Sequence, residues 1–134
     1  MMSPVARKLG IKPGMQVLII APPPDYLKLL APLADGINVS SLADGVYPFV
    51  QVFATRLFDI SKCARRLSKH AAPNALVWLS YPKKTSRNDG DLSRDVIREA
   101  MSGMGWRAAV SIIAIDKVWS ALRFRPAGQT GKRA

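Results

Sequence analysis

The chain is short of the residues that build several kinds of site. It has one cysteine, one histidine, and 9 acidic residues against 20 basic ones. A single thiol, Cys63, cannot close an intramolecular disulfide, which fits a reducing compartment. One imidazole, His70, and one thiol without clustered acids do not make up a metal ligand set, so no metal site is expected. No recognisable nucleophile motif accompanies His70, so nothing supports a Ser–His or Cys–His catalytic pair. No apolar run approaches the roughly 18 residues that a membrane-crossing helix needs. The first eight residues, Met1 to Lys8, lack the long apolar core of a secretory signal, and a cytoplasmic protein with no membrane attachment is expected.

What is present is enough for one folded unit. The chain has 134 residues, 49% of them hydrophobic. At that length a single domain buries roughly two thirds of the surface its unfolded chain exposes. The expected domain covers residues 1–125, and residues 126–134, with their Gly, Lys and Arg, read as a basic, disordered tail. The formal charge is +11. A balance this basic favours anionic partners: a phosphorylated small molecule, an acidic protein surface or nucleic acid.

The pattern along the chain alternates strands with helices. Ser3-Pro4 is a helix start, a hydroxyl N-cap followed by proline in the first turn, and Gly10 ends that helix. Met15 to Ala21 is continuously aliphatic, as in a strand covered on both faces. Pro22-Pro23-Pro24-Asp25 breaks it, and a short helix follows to Leu30. Ile37 to Ser40 and Phe49 to Ala54 read as the second and third strands. Thr55 is the expected N-cap of a helix from Arg56 to His70, whose Leu57, Ile60, Ala64, Leu67 and Ala71 form a stripe at helical spacing.

Pro73-Asn74 closes that element, and Ala75 to Ser80 is the fourth strand. Ser93 caps a helix to about Met104, with Leu92 and Ile97 placed as a hydrophobic staple around the cap. Trp106 to Ile115 and Val118 to Phe124, parted by Asp116-Lys117, predict an antiparallel hairpin. The expected fold is therefore α/β: a Rossmann-like three-layer sandwich around a mostly parallel sheet of about six strands with a C-terminal antiparallel hairpin. The hairpin can leave an edge strand open, which is compatible with a homodimer.

Two resemblances rest on particular residues. Lys12-Pro13-Gly14-Met15-Gln16-Val17-Leu18-Ile19-Ile20 resembles the approach to the first strand of class I SAM-dependent methyltransferases. The closing hairpin, Gly105-Trp106 through Asp116 to Leu122-Arg123-Phe124, resembles that family's last strands. More narrowly, the chain resembles a family of small, uncharacterised bacterial proteins of the same plan. The blocks that carry this are Ser3-Pro4, Leu9 to Gly14, Trp78 through Pro82 to Ser86, Asp91 to Val96, and Trp119 to Phe124. The methyltransferase resemblance implies SAM as cofactor, held by a glycine-rich turn after the first strand and by an acid at the end of the second.

This chain departs from that pattern at both places. The first turn, Ala21-Pro22-Pro23-Pro24-Asp25, has no glycine, and its prolines have no N–H to offer a ligand. The second strand ends in Asn38-Val39-Ser40-Ser41, and Asp44 reads as part of an Asp-Gly turn. The leading expectation is thus a non-catalytic module without a cofactor. The alternatives are a SAM-dependent methyltransferase with a degenerate site and a nucleic-acid-binding protein.

The candidate ligand contacts are Lys83, Lys84, Thr85, Ser86, Arg87 and Asp91, in the loop after the fourth strand. Ligands of open α/β sheets bind at the carboxyl ends of strands, and this loop offers charge and hydroxyl donors there to an anion. Asp91 and Asp95 are acids that could orient its lysines, but Asp95 falls in the first turn of the next helix and reads as a carboxylate favoured there by the helix dipole. Lys62, Arg65, Arg66 and Lys69 share a helical face that reads as solvated surface. Cys63 and the three tryptophans read as packing residues.

Overall fold

The computed structural model describes residues 3–33, 36–40, 45–83 and 92–126. Four helices, α1 (Pro4–Leu9), α2 (Tyr26–Leu30), α3 (Ile60–His70) and α4 (Arg94–Ser102), pack on six strands. The strands are β1 (Gln16–Ile20), β2 (Asn38–Ser40), β3 (Tyr47–Phe53), β4 (Ala71–Pro82), β5 (Trp106–Ala114) and β6 (Trp119–Pro126). They form one sheet in the order β2-β1-β3-β4-β6-β5. β1 pairs in parallel with β2 and β3, and β3 with β4. β6 runs antiparallel to both β4 and β5. This is the expected Rossmann-like α/β sheet with its antiparallel close.

Alternation along the strands divides the core. Leu18, Ile20, Val50, Val52, Val77, Leu79, Leu122 and Phe124 point to one face, where α3 contributes Ile60, Cys63, Ala64 and Leu67 and α4 contributes Ile97 and Met101. Val17, Ile19, Phe49, Phe53, Trp78 and Ala121 point to the other, under Val5, Ala6 and Leu9 of α1 and Tyr26 and Leu30 of α2. Side chains two apart share a face because the strand period is two. The sheet is thus apolar on both sides, which is why its strands read as continuous aliphatic runs.

The caps follow the sequence signals. Ser3 Oγ accepts from Ala6 N at 3.1 Å and donates to Leu30 O at 2.7 Å, so one hydroxyl starts α1 and ties it to α2. Gly10 ends α1 at φ 87°, a conformation L side chains resist. Ser93 Oγ accepts from Val96 N to start α4, and Leu92 and Ile97 are fully buried beside it. In the hairpin turn Asp116 Oδ1 accepts from Val118 N and Trp119 N, both at 2.8 Å.

Two boundaries differ most from the sequence reading, beside shifts of one or two residues at the ends of β3 and β6. α3 begins at Ile60, and Thr55 does not cap it. Asp59 instead accepts the Arg56 N–H at 3.2 Å, winding Leu57–Asp59 into a 3-10 turn ahead of the helix. β4 starts at Ala71, directly after α3. Its pairing slips from Tyr47↔Ala71 to Phe49↔Leu76, leaving extra residues on β4. The irregularity holds Pro73, which has no ladder donor, and Asn74, which takes φ 63°.

Among the described residues no helix is long and apolar enough to cross a membrane.

Candidate functional site

The helices set where a site can form. β1 is followed by α2 on one face of the sheet and β3 by α3 on the other. Neighbouring strands whose connections leave to opposite faces open a crevice at their carboxyl ends. A cleft of about 350 Å³ lies there. Ile20, Ala21 and Pro23 line it from β1 and its turn, Phe53 and Thr55 from the end of β3. Asp59, Lys62, Cys63 and Arg66 line it from α3 and its entry, and Trp119 from the start of β6.

Its chemistry is mixed. Phe53 and Trp119 meet edge to face with ring centroids 5.1 Å apart, and Tyr26 meets Phe53 in the same way at 4.8 Å. Lys62 and Arg66, one helical turn apart and both exposed, bring two cations to one wall. Asp59 is the acid in the lining, and it is engaged by the Arg56 amide. The cleft therefore combines an aromatic side, a positive side and the hydroxyl-bearing Thr55.

A buried polar chain lies against this cleft. Tyr26 Oη donates to Gln51 Oε1 at 2.8 Å, and Gln51 Nε2 donates to Ser80 Oγ at 2.9 Å. Gln51 and Ser80 are fully buried. Burial holds the Tyr26 phenol well above its usual range, outweighing the hydrogen bond to Gln51, so it stays protonated and donating. Each group in the chain finds its partner in the next, which fixes α2 and the turn before it over β3.

Cys63 belongs to the core under α3 and also borders the cleft. Burial, reinforced by the negative charge of Asp59, pushes its thiol up to about 11. Alkylation by iodoacetamide at neutral pH should run on the order of a hundredfold slower than for a free thiol, and accelerate as the pH nears that value. A raised folded-state pKa adds stability below the unfolded value, and that stability is lost as pH climbs towards about 11. Rate measurements across alkaline pH check both. Rapid neutral-pH labelling of the folded chain would show an accessible thiolate instead.

The sequence candidates are distributed differently. Lys83 sits at the end of β4, where its backbone N–H donates to Val118 O and its Nζ to Asp116 O, both at 2.7 Å. It clamps the hairpin turn to β4 and is not in the cleft lining. Lys84, Thr85, Ser86, Arg87 and Asp91 lie outside the described residues. Asp95 is exposed in the first turn of α4. His70 is buried at the end of α3 with its Nδ1 2.7 Å from Gly45 O. Trp78 is buried, its Nε1 donating to Leu9 O at 2.9 Å.

Pro22, Pro23, Pro24 and Asp25 form the turn after β1, bracketed by left-handed Ala21 (φ 58°) and Asp25 (φ 67°). Asp25 carries the one ion pair among the described residues, with Lys28 at 3.5 Å on open surface.

The sequence reading missed Thr55, Asp59, Lys62 and Arg66 as a group. The available signal was position: Lys62 and Arg66 flank the buried stripe of the helix that follows the strand at the switch point, while Arg65 and Lys69 do not line the cleft.

No family model and no curated protein matches the chain. Solved structures do. A SAM-dependent methyltransferase from Aquifex aeolicus is similar at 17% identity, over 90% of this chain and 86% of that one, with a TM-score of 0.58. A ribosomal protein L11 methylase from Lactobacillus delbrueckii subsp. bulgaricus is similar at 11% identity, over 91% and 76%, with a TM-score of 0.57. DhpI, solved in complex with SAH, is similar at 14% identity, over 85% and 78%, with a TM-score of 0.53. At these identities the likeness is one of fold: this chain has the Rossmann-like fold of class I SAM-dependent methyltransferases.

Proposed function

We propose that this protein is a binding domain on the methyltransferase fold, taking a small anionic ligand with a flat apolar part in the cleft between β1 and β3. The observation that carries this is the pairing of Lys62 and Arg66 with the Phe53–Trp119 aromatic side in one crevice. The cations would meet a phosphate or carboxylate through charge-assisted hydrogen bonds, and the rings would cover the apolar part. β4 ends at the same edge of the sheet, and Lys84, Thr85, Ser86 and Arg87 are proposed as further contacts to the anion.

The second reading is a SAM-dependent methyltransferase. It is favoured by the likeness to structures solved with SAM or SAH. The residues present do not fit that cofactor in the fold's usual mode. Three prolines occupy the turn that would offer amide donors, and the described part of β2, Asn38–Ser40, holds no acid for ribose hydroxyls.

Calorimetric titration with phenyl phosphate, inorganic phosphate and SAH separates the two. The binding-domain reading expects saturable heat with phenyl phosphate, weaker heat with inorganic phosphate and none with SAH. Saturable micromolar binding of SAH with silence from both phosphates would replace it by the methyltransferase reading.

A further inference from the structure

The opposite edge of the sheet carries a second concentration of positive charge, separate from the cleft. Arg123 and Arg125 lie two residues apart on β6 and so share a face. Arg107 of β5 stands directly opposite Arg125, and Trp78 of β4 directly opposite Arg123. The three arginines therefore sit on the Trp78 side of the sheet. They lie beyond the helices α1 and α2, near the end where β6 finishes and β5 begins. Arg107 and Arg125 are exposed. A hollow of about 230 Å³ opens between Arg123, Arg125, Asn74, Ala75 and Pro126.

Nothing described neutralises this cluster. The described acids lie elsewhere: Asp25, Asp59 and Asp116 in loops at the carboxyl edge, Asp95 and Glu99 on α4 across the sheet. Arg123 Nε is buried with no hydrogen-bond partner among the described residues. Burial and the neighbouring Arg125 both disfavour its charge. Like charges gathered on one face without a counter-charge are an electrostatic cost that a bound anion relieves.

The end of α1 lies over β4, the strand next to β6. α1 ends in exposed Arg7 and Lys8. That end is fixed over β4 by Trp78 Nε1 to Leu9 O and by the approach of Gly10 to the Leu76 side chain.

We propose that this arginine face, Arg107, Arg123 and Arg125, binds the phosphodiester backbone of nucleic acid. A row of guanidinium groups on an open sheet suits a line of phosphates better than one small anion, because each planar fork takes its own phosphate. The net charge of +11 supplies the long-range attraction. The site does not depend on the cleft.

The test is fluorescence anisotropy of the full chain with a short labelled duplex and a labelled single strand, in a salt series. Arg107→Gln/Arg125→Gln is the working variant, since both positions are exposed and the chain should stay folded. The expected result is salt-sensitive binding whose slope of log affinity against log salt shrinks by about 2 in that variant on duplex. Arg107→Lys/Arg125→Lys should restore the slope, and Lys62→Gln/Arg66→Gln should leave it unchanged. Four results would overturn the proposal. They are no binding of either probe at low salt, an unaltered slope in Arg107→Gln/Arg125→Gln, a slope lost only in the cleft variant, or saturation by inorganic phosphate alone without oligonucleotide binding.

Discussion

Replacing Lys62 and Arg66 together by glutamine should weaken binding of a phosphate-bearing aromatic ligand by on the order of a hundredfold. Hydrogen bonds to charged groups contribute roughly 1.5–3 kcal/mol each. Both side chains keep contact with water, so the lower end applies, and two such losses make about 3 kcal/mol, near two decades of affinity. Glutamine keeps the helix and most of the side-chain bulk, so the fold should hold. Lys69→Gln is the matched control: it removes a charge from the same helix outside the cleft and should leave affinity within about twofold. Calorimetry on the three proteins reads the effect. Equal affinity in the double variant and the parent would remove the cations from the account of the site.

The second large effect is on stability. Phe49→Ala should destabilise the domain by roughly 3–5 kcal/mol, the range for truncating a fully buried aromatic. Phe49 is wholly buried at the centre of the sheet face covered by α1 and α2. Two short helices, of six and five residues, are a thin layer that cannot readily collapse into the space left. Total stability for such domains is only about 5–15 kcal/mol, so the variant should be partly unfolded at physiological temperature. Phe58→Ala is the contrast. That ring is 76% exposed, and its loss should change stability by no more than about 0.5 kcal/mol. Urea denaturation of both variants tests the assignment of core and surface.

Much of the fold was legible because its signals are local. Ser3-Pro4 and Gly10 bound α1 as read, Ser93 starts α4, and the aliphatic runs are strands buried on both faces. The two misplaced boundaries have a common cause. The start of α3 depends on an Asp59 carboxylate reaching back to the Arg56 amide, and the start of β4 on pairing with Tyr47 across the sheet. Neither is visible as periodicity.

The candidate cleft was not legible in the sequence. The expected contacts were the basic loop after β4, whereas the cations that line the cleft stand on α3. Lys83, the described member of the expected loop, is bonded to the hairpin turn. Strand order decides this. β4 lies inside the sheet between β3 and β6, so the crevice opens at β1 and β3. Lys62 and Arg66 looked like solvated helix surface because the spacing that makes them neighbours is shared by every exposed helical face. Only the fold shows which exposed face borders a cleft.

On the proposed function, the cationic, aromatic-lined cleft receives an anion and the proline turn does not hold SAM. Amide chemical-shift mapping of the folded chain with phenyl phosphate and with SAH tests it most directly. Saturable shifts are expected at Ala21, Phe53, Thr55, Lys62, Arg66 and Trp119 with phenyl phosphate, and none with SAH. Saturable shifts with SAH at Ala21, Asp25 and Asn38–Ser40, with phenyl phosphate inert, would contradict it.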